Sequence, residues 1–480
     1  MFDREIFLLY KYFKEKINMA ETIAAIATGM TESGIGIIRI SGPESYEIIR
    51  HIFRTKKGKE PDLKESHRVH YGFIETNVSC ETLDEVLMLN MKAPHSYTGE
   101  DTVEIDCHGG ILMMRRILET VLSAGARLAE PGEFTKRAFL NGRLDLSQAE
   151  AVIDVINAKN DKALRASVSQ LRGSISEKIK ECRAKLLEDT AYIEAALDDP
   201  EHIELGGFSV KLSEDVKKIQ LELERLIHSA EDGRLIKEGI RTVIVGKPNA
   251  GKSSLLNVLV GEERAIVTNV AGTTRDTLEE TINLKGVTLH IIDTAGIRET
   301  EDVVEKIGVQ RALQAAETAD LVIYVVDSSV QLDESDFKII DFIASKKKKA
   351  IVLLNKSDLT SVITEEDLRK HLPLDHCLLS ISAKNETGIE KLETEIERMF
   401  YHGDISSDGE ICITSARQKE NLIAARDSLL QLENSIETNM PEDFFTIDLM
   451  NAYTQLGYIL GTEVDEDLVN EIFAKFCMGK

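Results

Sequence analysis

The sequence predicts a multidomain α/β and α+β protein: an α+β block, then an all-helical domain made discontinuous by an inserted P-loop domain. Three observations carry that prediction. Residues 22–130 mix short β-rich runs with glycines. Residues from about 145 to 233, and again after about 403, hold apolar side chains at helical spacing. Residues 241–399 alternate strands and helices, with glycine-rich and polar signatures at strand ends. One helical domain with an insert is the economical arrangement; two separate helical domains are the alternative.

In the first block, Gly34–Pro43 and Asp84–Pro94 read as strands ending in turns. Asp101–Gly110 alternates Val103, Ile105 and Cys107 with polar residues, as a half-buried strand does. The run from Ile111 has helical spacing and stops at Gly125. The next segment is helical, with Ala149, Val152, Ile153 and Ile156 on one face, and Ser147 with Glu150 three residues on suggests a capping box. Helices are also expected over Ile175–Leu197, Ser213–Gly233, Ser415–Ile436, Asp443–Leu460 and Asp465–Phe476. The boundaries expected are 1–20 for an N-terminal extension, 21–140, 141–235 and 403–480 for the two parts of the helical domain, and 236–402 for the insert.

A net charge of -25 disfavours non-specific binding to nucleic acid or anionic membrane, so any RNA contact needs a local basic patch or a partner. The six cysteines form no Cys-x-x-Cys pair, which suggests neither a zinc site nor a disulfide framework and points to a reducing, cytoplasmic compartment. No apolar run approaches the roughly 20 residues of a membrane span. The first apolar stretch, Ile6–Tyr10, is short and flanked by charges, unlike a signal peptide, and Met19 offers a second start.

The insert carries the chemistry. Between the strand Thr242–Val245 and the helix that follows lies Gly246-x4-Gly251-Lys252-Ser253, the phosphate-loop spacing. Its glycines let backbone N–H groups face phosphate oxygens, and the helix start adds free donors and its dipole. Lys252 is expected at the β- and γ-phosphates and the Ser253 hydroxyl on Mg²⁺. Three further elements follow in order, each after a strand: Asp293-Thr294-Ala295-Gly296, Asn355-Lys356-Ser357-Asp358 and Ser382-Ala383-Lys384. Asp358 can accept from N1–H and the exocyclic amine of guanine, a donor pair that adenine lacks, so the nucleotide is GTP. Asn249, Ala250, Gly251 and Ser254 complete the loop's contacts, and Thr274, in the switch Thr268–Asp276, is the second Mg²⁺ ligand. The insert is thus a Ras-like G domain. Small Ras-like GTPases place Gln after the Asp-Thr-Ala-Gly element; here Ile297 stands there and cannot orient water, whereas Glu305 is polar and close in sequence.

These stretches resemble the MnmE (TrmE) family of bacterial tRNA-modification GTPases. The resemblance rests on "GKPNAGKSSLLN", "AIVTNVAGTTRD", "HIIDTAGIRET", "VEKIG", "PHSYTGEDTVEIDCHGG" and the terminal Cys-x-Gly-Lys of "FCMGK", and covers nearly all of the chain after the first ~20 residues. It implies K⁺ activation with Asn249, Thr268, Thr273 and the Val270 carbonyl around the ion, and Glu305 as the residue that orients water. It implies that residues 21–140 bind a 5-formyl- or methylene-tetrahydrofolate and dimerise, with Arg39, Glu104, Arg143 and Lys480 at the folate-contacting positions. Cys477 reads equally as a reactive thiol or a packing residue. The implied partners are a second copy of the chain, the flavoprotein MnmG in a heterotetramer, and tRNA, whose wobble uridine receives an aminomethyl or carboxymethylaminomethyl group at C5. Two other readings are a ribosome-assembly or signalling GTPase that only recruits, and an aminomethyltransferase-type folate enzyme with a regulatory G domain. Bland readings are expected for the basic run Ser345–Lys349 as a solvated turn, for His108 as a satisfied packing residue more often than a ligand, and for the acidic loop Leu197–Gly207, to which no metal is assigned.

Overall fold

The computed structural model describes residues 21–77, 80–200, 202, 207–261, 280–284, 286–292, 314–346, 348–372, 376–400, 411–438, 440–464, 466–477 and 479. The chain forms two compact units: Met1–Ile153, Leu171–Gly206 and Asn434–Lys480 in the first, Asp154–Gln170 and Gly207–Glu433 in the second.

The first unit is built on a seven-stranded sheet of β1 (Ile23–Ile26), β2 (Gly36–Ser41), β3 (Phe53–Thr55), β4 (Arg68–Glu75), β5 (Thr82–Met91), β6 (Thr102–Cys107) and β7 (Arg127–Leu128), in the order β3-β4-β5-β6-β2-β1-β7. All neighbours are antiparallel except β1 and β7. The period-2 pattern read in the sequence decides the faces. Ile38, Ile40, Val103 and Ile105 are buried with Ile48, Ile117 and Val121 from the helices Ser45–Ile52 and Ile111–Ser123. Arg39 and Glu104, register partners on β2 and β6, lie on the opposite face.

The helices Ser174–Asp198 and Glu442–Leu460 pack along one another, burying Ile179, Leu186 and Ile193 on one and Leu449, Ala452 and Leu456 on the other. Across that seam the Arg183 guanidinium lies 4.0 Å from the Tyr453 ring centroid. Phe473 and Phe476 pack with Ala138, Leu146 and Ala149, fastening the end of the chain to the helix Glu133–Leu140.

The helix Leu146–Asn157 starts otherwise than the sequence predicts. Asp145, not Ser147, is the capping residue: its Oδ1 accepts from the Gln148 N–H at 3.0 Å, and Gln148 Oε1 accepts from the Asp145 N–H at 3.1 Å. Ser147 is already in the first turn and fully buried, 3.0 Å from Ser176 Oγ. An Asp two positions earlier supplies the stronger acceptor, so the box closes around Asp145 and Gln148 instead of Ser147 and Glu150.

The second unit holds a six-stranded sheet of β8 (Ile240–Val245), β9 (Glu280–Leu284), β10 (Val287–Ile292), β11 (Leu321–Asp327), β12 (Ala350–Asn355) and β13 (Cys377–Ser380), ordered β13-β12-β11-β8-β10-β9. It is parallel apart from the β9–β10 hairpin. β8, β11 and β12 are near-continuous apolar runs because a parallel sheet is covered on both faces. One face packs Leu255, Leu259, Leu392 and Ile396, the other Ile339, Ile340 and Leu368. The chain leaves β8 for the β9–β10 hairpin on one side and then crosses to β11 on the other; this reversal of strand order is where an open α/β sheet places a crevice, at the carboxyl end of β8.

Helical segments belong to this unit too. Asn160, buried, donates from Nδ2 to Thr288 Oγ1 at 2.9 Å on β10 and accepts from the Ala163 N–H at 2.7 Å, starting the helix Asp161–Leu171. The buried Asp154 carboxylate takes Lys237 Nζ at 2.8 Å and the Thr414 hydroxyl at 3.0 Å, joining segments that flank the sheet in sequence.

Candidate functional site

β8 delivers the phosphate loop into the crevice, and the helix Lys252–Val260 leaves it. Two glycines are sterically required there. A Cβ on Gly246 (φ 150°) would lie 2.3 Å from Val325 O, and one on Gly251 (φ 99°) 2.0 Å from Asn355 Nδ2. Asn249 sits at φ 60°, a region Asn tolerates better than most residues, which turns the loop between the glycines. Lys252 Nζ donates to the carbonyls of Gly246 at 2.8 Å and Lys247 at 2.7 Å. Burial pulls the Lys252 ammonium down to about 8. Ser253 and Ser254 follow in the first turn of that helix.

The base-recognition elements meet the loop through one side chain. Asn355, 2 % exposed, donates from Nδ2 to the Ala250 carbonyl at 2.8 Å and accepts at Oδ1 from the Ala383 N–H at 3.0 Å. Ser382 Oγ donates to Asp358 Oδ1 at 2.6 Å and accepts from the Asn385 N–H at 3.3 Å. That hydrogen bond, helped by Lys384 and Lys356, holds the Asp358 carboxyl below the usual range, so it is an anionic acceptor at neutral pH. Lys356, at φ 64°, reaches Asp327 Oδ2 at 2.5 Å. Asn249, Ala250, Gly251, Lys252, Asn355, Lys356, Asp358, Ser382 and Ala383 are therefore gathered around one crevice. Thr268, Val270, Thr273, Thr274, Asp293, Thr294, Ala295, Gly296 and Glu305 lie outside the described residues.

The first unit gathers the other predicted set. Arg39 Nε pairs with Glu104 Oε1 at 2.7 Å, with side chains only 14 % and 18 % exposed. The Arg39 guanidinium also lies 5.1 Å from the Tyr97 ring centroid and 5.6 Å from that of Phe134, and Arg143 stands 4.9 Å from Tyr97. Tyr97 is itself oriented by a 2.8 Å hydrogen bond between its hydroxyl and Thr135 Oγ1. The end of the chain joins this cluster: Arg39 Nη1 donates to the Gly479 carbonyl at 3.4 Å, and the Gly132 N–H to the Cys477 carbonyl at 3.3 Å. Lys480 lies outside the described residues, and Cys477 is exposed with a free thiol.

Sequence reasoning missed Tyr97 and Phe134, although Tyr97 falls inside one of the diagnostic stretches. It also missed Asp327, whose signal was a charged residue ending the apolar run Leu321–Val326. Two minor expectations need correction. His108 is no packing residue: it is exposed and bound through Nδ1 to the buried Asp84 at 2.7 Å, because its strand ends before the helix Ile111–Ser123 begins. The basic run is only partly a solvated turn: Lys348 Nζ binds the Glu317 and Ala319 carbonyls, and Lys349 lies 4.5 Å from the Phe400 ring centroid. Among the described residues no group of His, Cys, Asp or Glu is placed to hold a metal ion, and no helix is long and apolar enough to cross a membrane.

Comparison with known proteins covers nearly the whole chain. A model for the MnmE helical domain matches residues 146–477, and one described as the GTP-binding protein TrmE N-terminus matches residues 22–143. A tRNA modification GTPase MnmE from Lachnoclostridium phytofermentans is 59 % identical over 461 residues, covering 96 % of this chain and 99 % of that relative. Those of Clostridioides difficile and Acetivibrio thermocellus are 48 % and 49 % identical at the same coverage. Among solved structures, the G domain of the T. maritima FeoB iron transporter is 27 % identical, with 33 % of this chain and 97 % of that one covered and a TM-score of 0.25.

Proposed function

The chain belongs to the MnmE (TrmE) family of tRNA modification GTPases, and from that premise we propose how its residues divide the work. It is a GTP hydrolase acting in tRNA modification. In our reading the modification is an aminomethyl or carboxymethylaminomethyl group at C5 of the wobble uridine. It is built from a tetrahydrofolate one-carbon unit together with the flavoprotein MnmG, by a chain that pairs with its own copy through residues 21–140.

The observation that supports the nucleotide assignment most is the Asn355 bridge. One buried carboxamide ties the phosphate loop at Ala250 to the base-contacting Ala383, so the two ends of a guanine nucleotide are gripped by parts of one rigid piece. Asp358 accepts the two guanine donors, Lys252 takes the β- and γ-phosphate oxygens, and the N–H groups of residues 251–253 surround them. Ser253 and Thr274 would hold Mg²⁺. The oxygen donors Asn249, Thr268, Val270 and Thr273 suit a hard monovalent cation, which when bound would offset charge developing on the phosphates. Glu305 orients the attacking water where Ile297 cannot.

The charged side chains of Arg39, Glu104 and Arg143 around Tyr97 suit a folate. Glu104 can accept from a pterin ring, while Arg39, Arg143 and Lys480 supply cationic donors for carboxylates. The one-carbon group supplies the new carbon at uridine C5; the chain's own contribution is to hold and orient its carrier.

The test is hydrolysis by the full chain in K⁺ against Na⁺, with Glu305→Ala alongside, and modification of a tRNA transcript with MnmG added. We expect strong slowing in Na⁺, nucleotide binding without turnover in the variant, and modified uridine only when partner and GTP are both present. Equal rates in the two salts would remove Asn249 from the mechanism. Modification without GTP would overturn the coupling.

A further inference from the structure

Lys247, the second residue of the phosphate loop, has no part in the reading above, yet its side chain is paired with two aspartates. Its Nζ lies 2.6 Å from Asp336 Oδ2 and 3.0 Å from Asp333 Oδ2. Asp336 is 1 % exposed and also accepts the hydroxyl of the buried Tyr324 at 2.8 Å. The two aspartates form the cap of the helix Glu334–Lys346: Asp333 Oδ1 accepts from the N–H groups of Ser335 at 2.9 Å and Asp336 at 3.3 Å, and Asp336 Oδ2 accepts from the Asp333 N–H at 3.1 Å. The loop's lysine is thus inserted into the cap of a neighbouring helix.

We propose that Lys247 is a positioning residue for GTP hydrolysis: clamped by Asp336 and Asp333, it fixes the first turn of the phosphate loop and thereby the place of Lys252. The backbone connects the two lysines directly. The Lys247 carbonyl accepts from Lys252 Nζ at 2.7 Å and from the Ala250 N–H at 3.3 Å, so this one residue is a hub for both the phosphate-binding lysine and the loop's internal turn. The side chain of the hub is anchored to the next strand of the sheet. Tyr324 on β11 is the register partner of Val245, the residue just before Gly246.

The energetics argue for positioning over simple stabilisation. Taking a carboxylate to 1 % exposure costs more than a surface pair returns, and well-packed apolar residues serve stability at least as well. What a satisfied buried network provides is a single arrangement of the groups it joins. Burial opposes charge on both Lys247 and Asp333, yet the aspartates hold the Lys247 ammonium above its usual range and Lys247 helps hold Asp333 below its own, so the cluster favours the charged form of each.

The experiment compares Lys247→Met, Lys247→Arg and Asp336→Asn in the full chain, with Mg²⁺ and K⁺ present. Affinities for GDP and for guanosine are measured separately, together with kcat and KM for GTP. A loop displaced by about 1 Å can cost up to about 100-fold. For Lys247→Met we expect a fall of roughly tenfold or more in GDP affinity and in kcat/KM, with guanosine affinity unchanged because the base site is intact, and recovery of most of the loss in Lys247→Arg. Asp336→Asn should show the same selectivity, and it carries the test if Lys247→Met does not fold. Wild-type GDP affinity in both variants overturns the proposal. So does a loss that falls equally on guanosine, which would assign the cluster to holding the domain together.

Discussion

The burial of Lys252 makes nucleotide affinity depend on pH. Its ammonium is drawn down to about 8 by burial, while binding to phosphate requires the charged form. The sign follows. Below pH 8 the lysine is protonated in free and bound chain alike, and affinity does not depend on its titration. Above pH 8 the free chain loses the proton, and binding must first restore it. Affinity should therefore halve near pH 8 and be about tenfold lower at pH 9 than at pH 7. If phosphate returns the group to its ordinary range near 10.4, the full span approaches on the order of 3 kcal/mol. The same shift has the opposite sign for the free chain's stability. Between about 8 and the unfolded value the unfolded chain binds more protons, so this group's burial cost is present below pH 8 and relieved above it. The assay is fluorescent GDP titration at fixed ionic strength, kept below the pH at which the guanine ring deprotonates, with Lys252→Met as control. Wild-type affinity that stays flat from pH 7 to 9, or a control that falls in parallel, would refute the assignment of Lys252 to the phosphates.

Other outcomes can be stated briefly. Asp358→Asn removes an anionic acceptor of two guanine donors and should lower GTP affinity by roughly tenfold or more while raising affinity for xanthosine triphosphate, read by competition. Gly251→Ala places a Cβ against Asn355 Nδ2 at a φ of 99° and should break the Asn355–Ala250 bond, lowering the melting temperature and GDP affinity together. Tyr97→Leu removes the ring faced by Arg39 and Arg143; labelled-folate binding should fall about fivefold or more, with GTP hydrolysis unchanged. Equal folate binding by that variant would leave Tyr97 outside the site.

How much of this was legible depended on the range of the interaction. The strands of the second unit stood out because a parallel sheet buries both faces and writes itself as unbroken apolar runs, as in Leu321–Val326. The phosphate loop and Asn355-Lys356-Ser357-Asp358 were legible because their geometry is local: glycines where a Cβ would collide, a carboxylate at a strand end. What hid were partnerships across the chain. Nothing in the sequence says that Lys247 meets Asp336 or that Asn355 spans to Ala250, since these follow from strand order. The same holds for Arg39, an ordinary strand residue by pattern, which acquires meaning only when register sets it opposite Glu104 and folding brings Tyr97 beneath it. The capping error at Ser147 was of another kind: two acceptors competed for one helix start, and proximity in sequence could not rank them.

Asn160 joins a helix start to a strand. Its oxygen seals the first turn of the helix Asp161–Leu171 and its nitrogen holds Thr288, four residues before β10 ends at Ile292, just ahead of the Asp293-Thr294-Ala295-Gly296 element. A single carboxamide cannot follow two bodies that part company. Any slide of β10 along its axis would have to carry the start of that helix with it or break one of these two hydrogen bonds.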